Sequence, residues 1–176
     1  VTVRAGRFLA LCCAAAICAA ASSVAASPAD LPAPAGTPLL TVDGAIARSN
    51  DAGRAVFDLD MLQELPARSF RTSTVWTEGV REFTGVPLKA LLERLGVDGP
   101  VSVSATAIND YAVEIPADAI GDQAPIIAYH IDGATFSRRE KGPLWVVFPY
   151  DAEERYRTEV TYGQSIWQLD RLTVRP

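Results

Sequence analysis

A chain of 176 residues with 21 acidic and 16 basic side chains, net charge −5, is long enough for one domain with a full core. The acidic balance makes nucleic acid a poor partner. The three cysteines are Cys12, Cys13 and Cys18, and His130 is the one imidazole, which argues against a His-rich zinc site and a conventional Ser-His-Asp arrangement.

The first segment, VTVRAGR, carries two arginines and no acid, and FLALCCAAAICAAA after it is continuously apolar. Small residues at A-x-A-like spacing in SSVAAS complete the pattern of a secretory signal peptide over residues 1–26. The apolar run is shorter than the roughly 20 residues a membrane span needs. Cleavage would remove all three cysteines together with Arg4 and Arg7. The exported chain would be more acidic still, with neither disulfide nor thiol, and held by packing alone. SPADLPAPAGTP (27–38) reads as an extended, mobile Pro/Ala tether, and the domain is expected over 39–176.

LLTVDGAI predicts a strand and turn, SNDAG a loop and RAVFDL a second strand. DMLQELP suits a short helix capped by Asp58 or Asp60, with Pro66 beyond its end. SFRTSTVW alternates as a strand and turns at Thr77-Glu78-Gly79. GVPLKALLERLG predicts the dominant helix, with Pro87 in its first turn, Leu88, Leu91, Leu92 and Leu95 on its buried face, and Gly96 as its stop. VSVSATAI and YAVEI are strands on either side of Asn109-Asp110, and IPADAI is a loop or one helical turn. PIIAYHI and ATFSR flank Asp132-Gly133 as a hairpin, LWVVF is a buried strand, and residues 151–164 are polar and partly helical. WQLDRLTV closes the chain as a strand. The sum is a β-rich α+β domain.

Four of these stretches, in order, carry a resemblance. WTEGVREFTGVPLKALLERLG resembles the G-V-x-L-x-x-L-L-x-x-x-G helix of the sulfite oxidase-type molybdopterin-binding domain, and SVSATAINDYAVEIP resembles its D-G-Y-x-x-x-I-P segment. IIAYHIDGATFSRREKGPLWVVFP is similar to its G-G-P-L-R-L-V-V-P block, and SIWQLDRLTV to its closing S-v-K-W-l-x-x-I-x-V. The likeness runs from Thr41 to Val174 and implies the sulfite oxidase-like fold.

The departures concern the cofactor. The catalytic members bind molybdenum through a cysteine thiolate from the loop before that helix. Here the loop reads RTSTVWTEG, with Trp76 near the expected place, and hydroxyls are poorer ligands for such a metal. The family's P-L-R arginine is Trp145 and its K-W lysine is Ile166, while Arg138, Arg139 and Lys141 remain close by in sequence. A Cys-less subset shares the W-T-E-G, N-D-Y and S-I-W-Q-L motifs. Resemblance to it implies a periplasmic, metal-free protein that binds a neopterin- or monapterin-like pterin, oxidised or reduced. Some members are implicated in relaying pterin levels to a membrane enzyme of cyclic-di-GMP signalling, and the resemblance implies the periplasmic part of such an enzyme as partner.

A pterin can be held by stacking on Trp or Tyr, by a carboxylate accepting from its N3–H and 2-amino group, and by amides at its 4-oxo group. Trp76, Glu78, Asn109, Asp110, Tyr111, Arg138, Arg139, Lys141, Trp145, Tyr150 and Ser165 are the candidate contacts, with no catalytic residue and no metal ligand among them. Each has a plainer alternative. Trp76 and Trp145 serve as well in a core, Asn109-Asp110 as a turn, and the cations as a solvated face. Trp167 and His130 read as structural. Three functions stay open: a pterin-binding protein that is not an enzyme, a molybdopterin oxidoreductase with a non-thiolate ligand, and an interaction module whose cleft is filled by Trp76 and Trp145.

Overall fold

The computed structural model describes residues 1–2 and 31–176. The signal peptide expected over 1–26 therefore lies almost wholly outside the described residues. Among the described residues, ten strands form two five-stranded sheets. The first sheet takes β1 (Leu40–Gly44), β2 (Ala55–Phe57), β5 (Ser102–Ala107), β6 (Ala112–Ile115) and β10 (Leu169–Arg175), in the order β2-β1-β10-β5-β6. The second takes β3 (Arg68–Ser73), β4 (Val80–Pro87), β7 (Ile126–Ile131), β8 (Trp145–Val147) and β9 (Ile166–Trp167), in the order β3-β4-β7-β8-β9. Among the described strands only β1 and β10 pair in parallel, with Thr41 opposite Arg171. The α-helices among the described residues are short: α1 (Leu59–Gln63), α2 (Leu88–Arg94) and α3 (Glu159–Gly163).

Strand alternation explains the first sheet. Leu40 and Val42, Val103 and Ala105, Val113 and Ile115, and Leu172 and Val174 point into the core, while Thr41, Ser104, Glu114 and Thr173 face outward. In the second sheet β8 is buried along its whole length, as its unbroken apolar sequence requires. Both sheets and the apolar face of α2 share one hydrophobic cluster. The fold is the β-rich α+β architecture expected.

The structure corrects four boundaries. The segment 31–38 is not a free tether. Leu31 is buried, Asn50 donates to the Pro32 carbonyl at 2.7 Å, and the Gly36 N–H donates to Asp58 at 2.7 Å. Asp58 also caps α1 by accepting the Met61 N–H at 2.9 Å. These backbone donors, Met61 first, hold its carboxyl below the usual aspartate value.

The second correction is β4, whose first half, VREFT, carries too many charges to read as a strand. It pairs with β3 from Val80 to Gly85, and β4 continues through Pro87 against β7, so the helix begins at Leu88 and not at Gly85. Gly85 sits at an irregularity in the β4–β7 ladder, and a Cβ there would lie 2.1 Å from the Ile127 carbonyl oxygen. ATFSR makes only the Ile131–Ala134 bridge after the turn at Asp132 (φ 49°) and Gly133 (φ 80°). Ser137 and Glu140 then form a capping box that starts a 3-10 turn, Arg138–Glu140. Finally, the closing strand is interrupted. Gln168, at φ 53°, separates β9 in one sheet from β10 in the other, so the chain changes sheets there.

Candidate functional site

Near that sheet change, loops from both sheets meet around an uncharged cavity. It measures about 340 Å³ and is lined by Trp76, Asn109, Tyr111, Tyr162, Ser165, Ile166, Trp167 and Gln168. The size falls at the low end of the roughly 300–1,000 Å³ typical of small-molecule sites.

Each wall has a local cause. The Thr74 hydroxyl accepts the N–H groups of Trp76 (3.1 Å) and Thr77 (3.0 Å), closing a turn that sets Trp76 just beyond β3. The β5–β6 hairpin projects Asn109 and Tyr111. The Tyr111 carbonyl accepts from Ala107 N–H at 2.8 Å, and Asp110 takes the left-handed conformation at φ 63°. The Thr158 cap starts α3, which supplies Tyr162 and leads into Ser165.

Trp76 is the centre of an aromatic cluster. Its ring lies 5.5 Å from Trp167, 5.8 Å from Tyr162, 6.0 Å from Trp145 and 6.2 Å from Tyr150, all edge-to-face. A ring sandwiched between two others needs about 7 Å between their planes. Trp76 and Trp167 are closer and inclined at 62°, so a planar guest stacks on one exposed face and cannot slot between them.

Of the eleven candidates named from the sequence, the cavity lining brings together four, Trp76, Asn109, Tyr111 and Ser165. Other candidates are placed elsewhere. Trp145 is fully buried behind Trp76 and Trp167 and offers no face to a ligand; its indole N–H is buried without a partner among the described residues. Tyr150 is 1% exposed. Its hydroxyl bonds to the Ser165 Oγ, which in turn donates to the Thr161 carbonyl at 3.0 Å. Burial raises the Tyr150 phenol well above the usual tyrosine value, so it stays a neutral strut.

Glu78 and Lys141 line a second depression of about 430 Å³, with Arg81 and Phe136. Asp110 points to solvent and pairs with Arg171 at 3.3 Å. Arg138 and Arg139 are exposed on the 3-10 turn, outside both linings. Trp167, read as core, lines the cavity. Tyr162 and Gln168 were missed altogether, because a tyrosine in a polar segment and a glutamine inside a strand pattern carry no signal of their own.

The strand leading into Trp76 is tied down at its end by Asp151. Its carboxylate accepts the Ser73 N–H, the Ser73 hydroxyl at 2.8 Å and an Arg157 N–H at 2.7 Å. These contacts, the Ser73 N–H foremost, hold its carboxyl below the ordinary aspartate value. A depressed folded-state value means that the contribution is complete above the unfolded value, about 3.9, and is lost as pH falls through the folded one. Asp151→Asn is therefore expected to cost about 1–2 kcal/mol near neutral pH, the lower range suiting a partly exposed carboxylate. The deficit should close as the medium is acidified below about pH 3.9. Urea melts of both proteins across that range measure it, and a deficit independent of pH would reject the assignment.

Residues 52–153, more than half the chain, match the family described as "Oxidoreductase molybdopterin binding domain". The chain belongs to this family. The crystal structure of the sulfane dehydrogenase SoxCD from Paracoccus pantotrophus superposes with a TM-score of 0.57 at 19% identity, over 77% of this chain and 37% of that one. That likeness concerns the fold, and the chain spans little more than a third of its counterpart. Comparison with curated protein sequences gives no match.

The family's cofactor joins a pterin to a thiolate-bound metal, and the residues present suit only the first part. The cavity supplies aromatic faces and neutral polar groups for a pterin ring, but among the described residues no thiolate, imidazole or carboxylate lines it. Among the described residues, no group of three or more His, Cys, Asp or Glu side chains converges as a metal site. For this member of the molybdopterin-binding family, Trp76 or Trp167 would offer the ring one stacking face, with Asn109 and Gln168 at its polar edges.

Proposed function

We propose that this chain is a pterin-binding protein of the molybdopterin-binding domain family that holds its ligand without molybdenum and performs no catalysis. The observation that carries the reading is the composition of the cavity, whose lining residues are aromatic, apolar or uncharged polar, with no side chain of the kind that holds a metal. Such a wall favours a neutral, flat heteroaromatic such as neopterin or monapterin, stacked on one face and hydrogen-bonded at its rim. In this reading the protein acts in the periplasm and reports pterin occupancy to the periplasmic part of a membrane cyclic-di-GMP enzyme. The W-T-E-G, N-D-Y and S-I-W-Q-L motifs support that role by resemblance. The likeness of fold to sulfane dehydrogenase favours a second reading, an oxidoreductase with a non-thiolate metal ligand.

Denaturing protein purified from its native host and analysing the released material separates the two. A fluorescent pterin recovered stoichiometrically without molybdenum is the expected result. Stoichiometric molybdenum would overturn it in favour of the oxidoreductase. Protein that releases no pterin and fails to bind added oxidised or reduced pterin would overturn both.

A further inference from the structure

Gln168 occupies an unusual position in the cavity wall. It is a half-buried residue in the left-handed region, at φ 53°, where glycine or asparagine is the ordinary choice. Its hydrogen-bonding groups are committed, apart from its side-chain carbonyl oxygen and one of the two Nε2 protons. The backbone N–H donates to the Lys141 carbonyl at 3.0 Å, and the backbone carbonyl accepts the Ile108 N–H at 3.0 Å. Nε2 donates to the Arg138 carbonyl at 2.8 Å. This one residue therefore joins the 3-10 turn at 138–140 to the base of the β5–β6 hairpin while forming part of the cavity.

The Arg138 contact also decides which way the amide faces. A flipped amide would set Oε1 against another carbonyl oxygen, two acceptors with no proton between them. The donor end is thus fixed on the protein and Oε1 remains as an acceptor. The side-chain oxygens of Ser165 and Asn109 are less suited to that task. The Ser165 hydroxyl is engaged with Tyr150 and Thr161, and Asn109 Oδ1 already accepts the Tyr111 N–H at 3.3 Å. No carboxylate stands among the lining residues, and of their two amides Gln168 is the one anchored through Nε2, which leaves Oε1 as an oriented neutral acceptor.

We propose that Gln168 is the specificity-determining residue of the cavity, and that its Oε1 selects ligands presenting a ring N–H and an exocyclic amine, as the 2-amino edge of a pterin does. This rests on the pterin-binding reading above. The test compares pterin with lumazine, in which the 2-amino donor is replaced by a carbonyl acceptor, by fluorescence titration of the whole chain. The wild type should prefer pterin by about tenfold or more, since the lumazine carbonyl would oppose Oε1.

Gln168→Met keeps a side chain of similar length without the acceptor and should bring the two affinities within about threefold of each other. Gln168→Gly removes the amide while suiting the left-handed backbone, and should do the same if the methionine variant does not fold. A wild type that binds both ligands equally, or a folded variant that keeps the wild-type preference, would overturn the role of Gln168 and leave pterin binding intact. A wild type that binds neither ligand overturns the pterin-binding reading itself.

Discussion

Replacement of Trp76 by alanine is expected to weaken pterin binding by about 1–3 kcal/mol, the value of one aromatic face under a heterocyclic ring, or roughly fivefold to more than a hundredfold in affinity. The same substitution should cost about 2–3 kcal/mol of stability, below the 3–5 kcal/mol of a fully buried tryptophan because Trp76 is only half-buried. Its edge contacts with Trp145, Tyr150, Tyr162 and Trp167 all disappear at once. Trp145→Ala provides the contrast. That ring is buried behind the wall, so its loss reaches the ligand only through the collapse of its neighbours. Calorimetric titration with thermal melting of each variant separates the effects. An unchanged pterin affinity in folded Trp76→Ala would remove Trp76 from the site.

Gly142→Ala is expected to be the most damaging single-methyl addition near the site. A Cβ at Gly142 would stand 1.8 Å from the Phe136 carbonyl oxygen and 3.0 Å from the Phe136 ring. The carbonyl belongs to the backbone and cannot swing aside, so the 136–143 loop must open. Opening it also breaks the 2.7 Å bond from the Gly142 N–H to the Ser137 carbonyl. The loss should reach about 3 kcal/mol or more, beyond ordinary overpacking. The same loop carries the Arg138 carbonyl that orients Gln168, so pterin preference should fall together with stability. Chemical denaturation of wild type and variant measures this, and a loss under about 1 kcal/mol would show that the loop relaxes around the methyl group.

Much of the fold was legible because its signals are local. Alternation in VSVSATAI marks a one-sided strand, the apolar run LWVVF a buried one, and the leucine spacing after Pro87 a helix with one inward face. A cap at Asp58 or Asp60 was legible for the same reason, and the structure selects Asp58. VREFT was not, since its arginine and glutamate sit on a strand whose partners, β3 and β7, lie elsewhere in sequence. The site divided along the same line. Trp76, Asn109, Tyr111 and Ser165 belong to motifs that can be quoted, whereas Tyr162 and Gln168 reach the cavity only because α3 and the sheet change deliver them there.

The sequence by itself determined a β-rich α+β domain of the molybdopterin-binding family and placed the cysteines at residues 12–18, far in sequence from the loop that would hold a metal. Both follow from residue identity and short-range spacing. Only the tertiary structure decided that Trp145 lies behind the cavity while Trp167 lines it, although both are tryptophans on short strands of one sheet. The two stand directly opposite each other in neighbouring strands, yet Trp145 is enclosed by Phe83, Trp76 and Trp167, and Trp167 lies one residue before the chain changes sheets. Which ring meets the ligand is a matter of what covers it, and cover is supplied by residues distant in the chain.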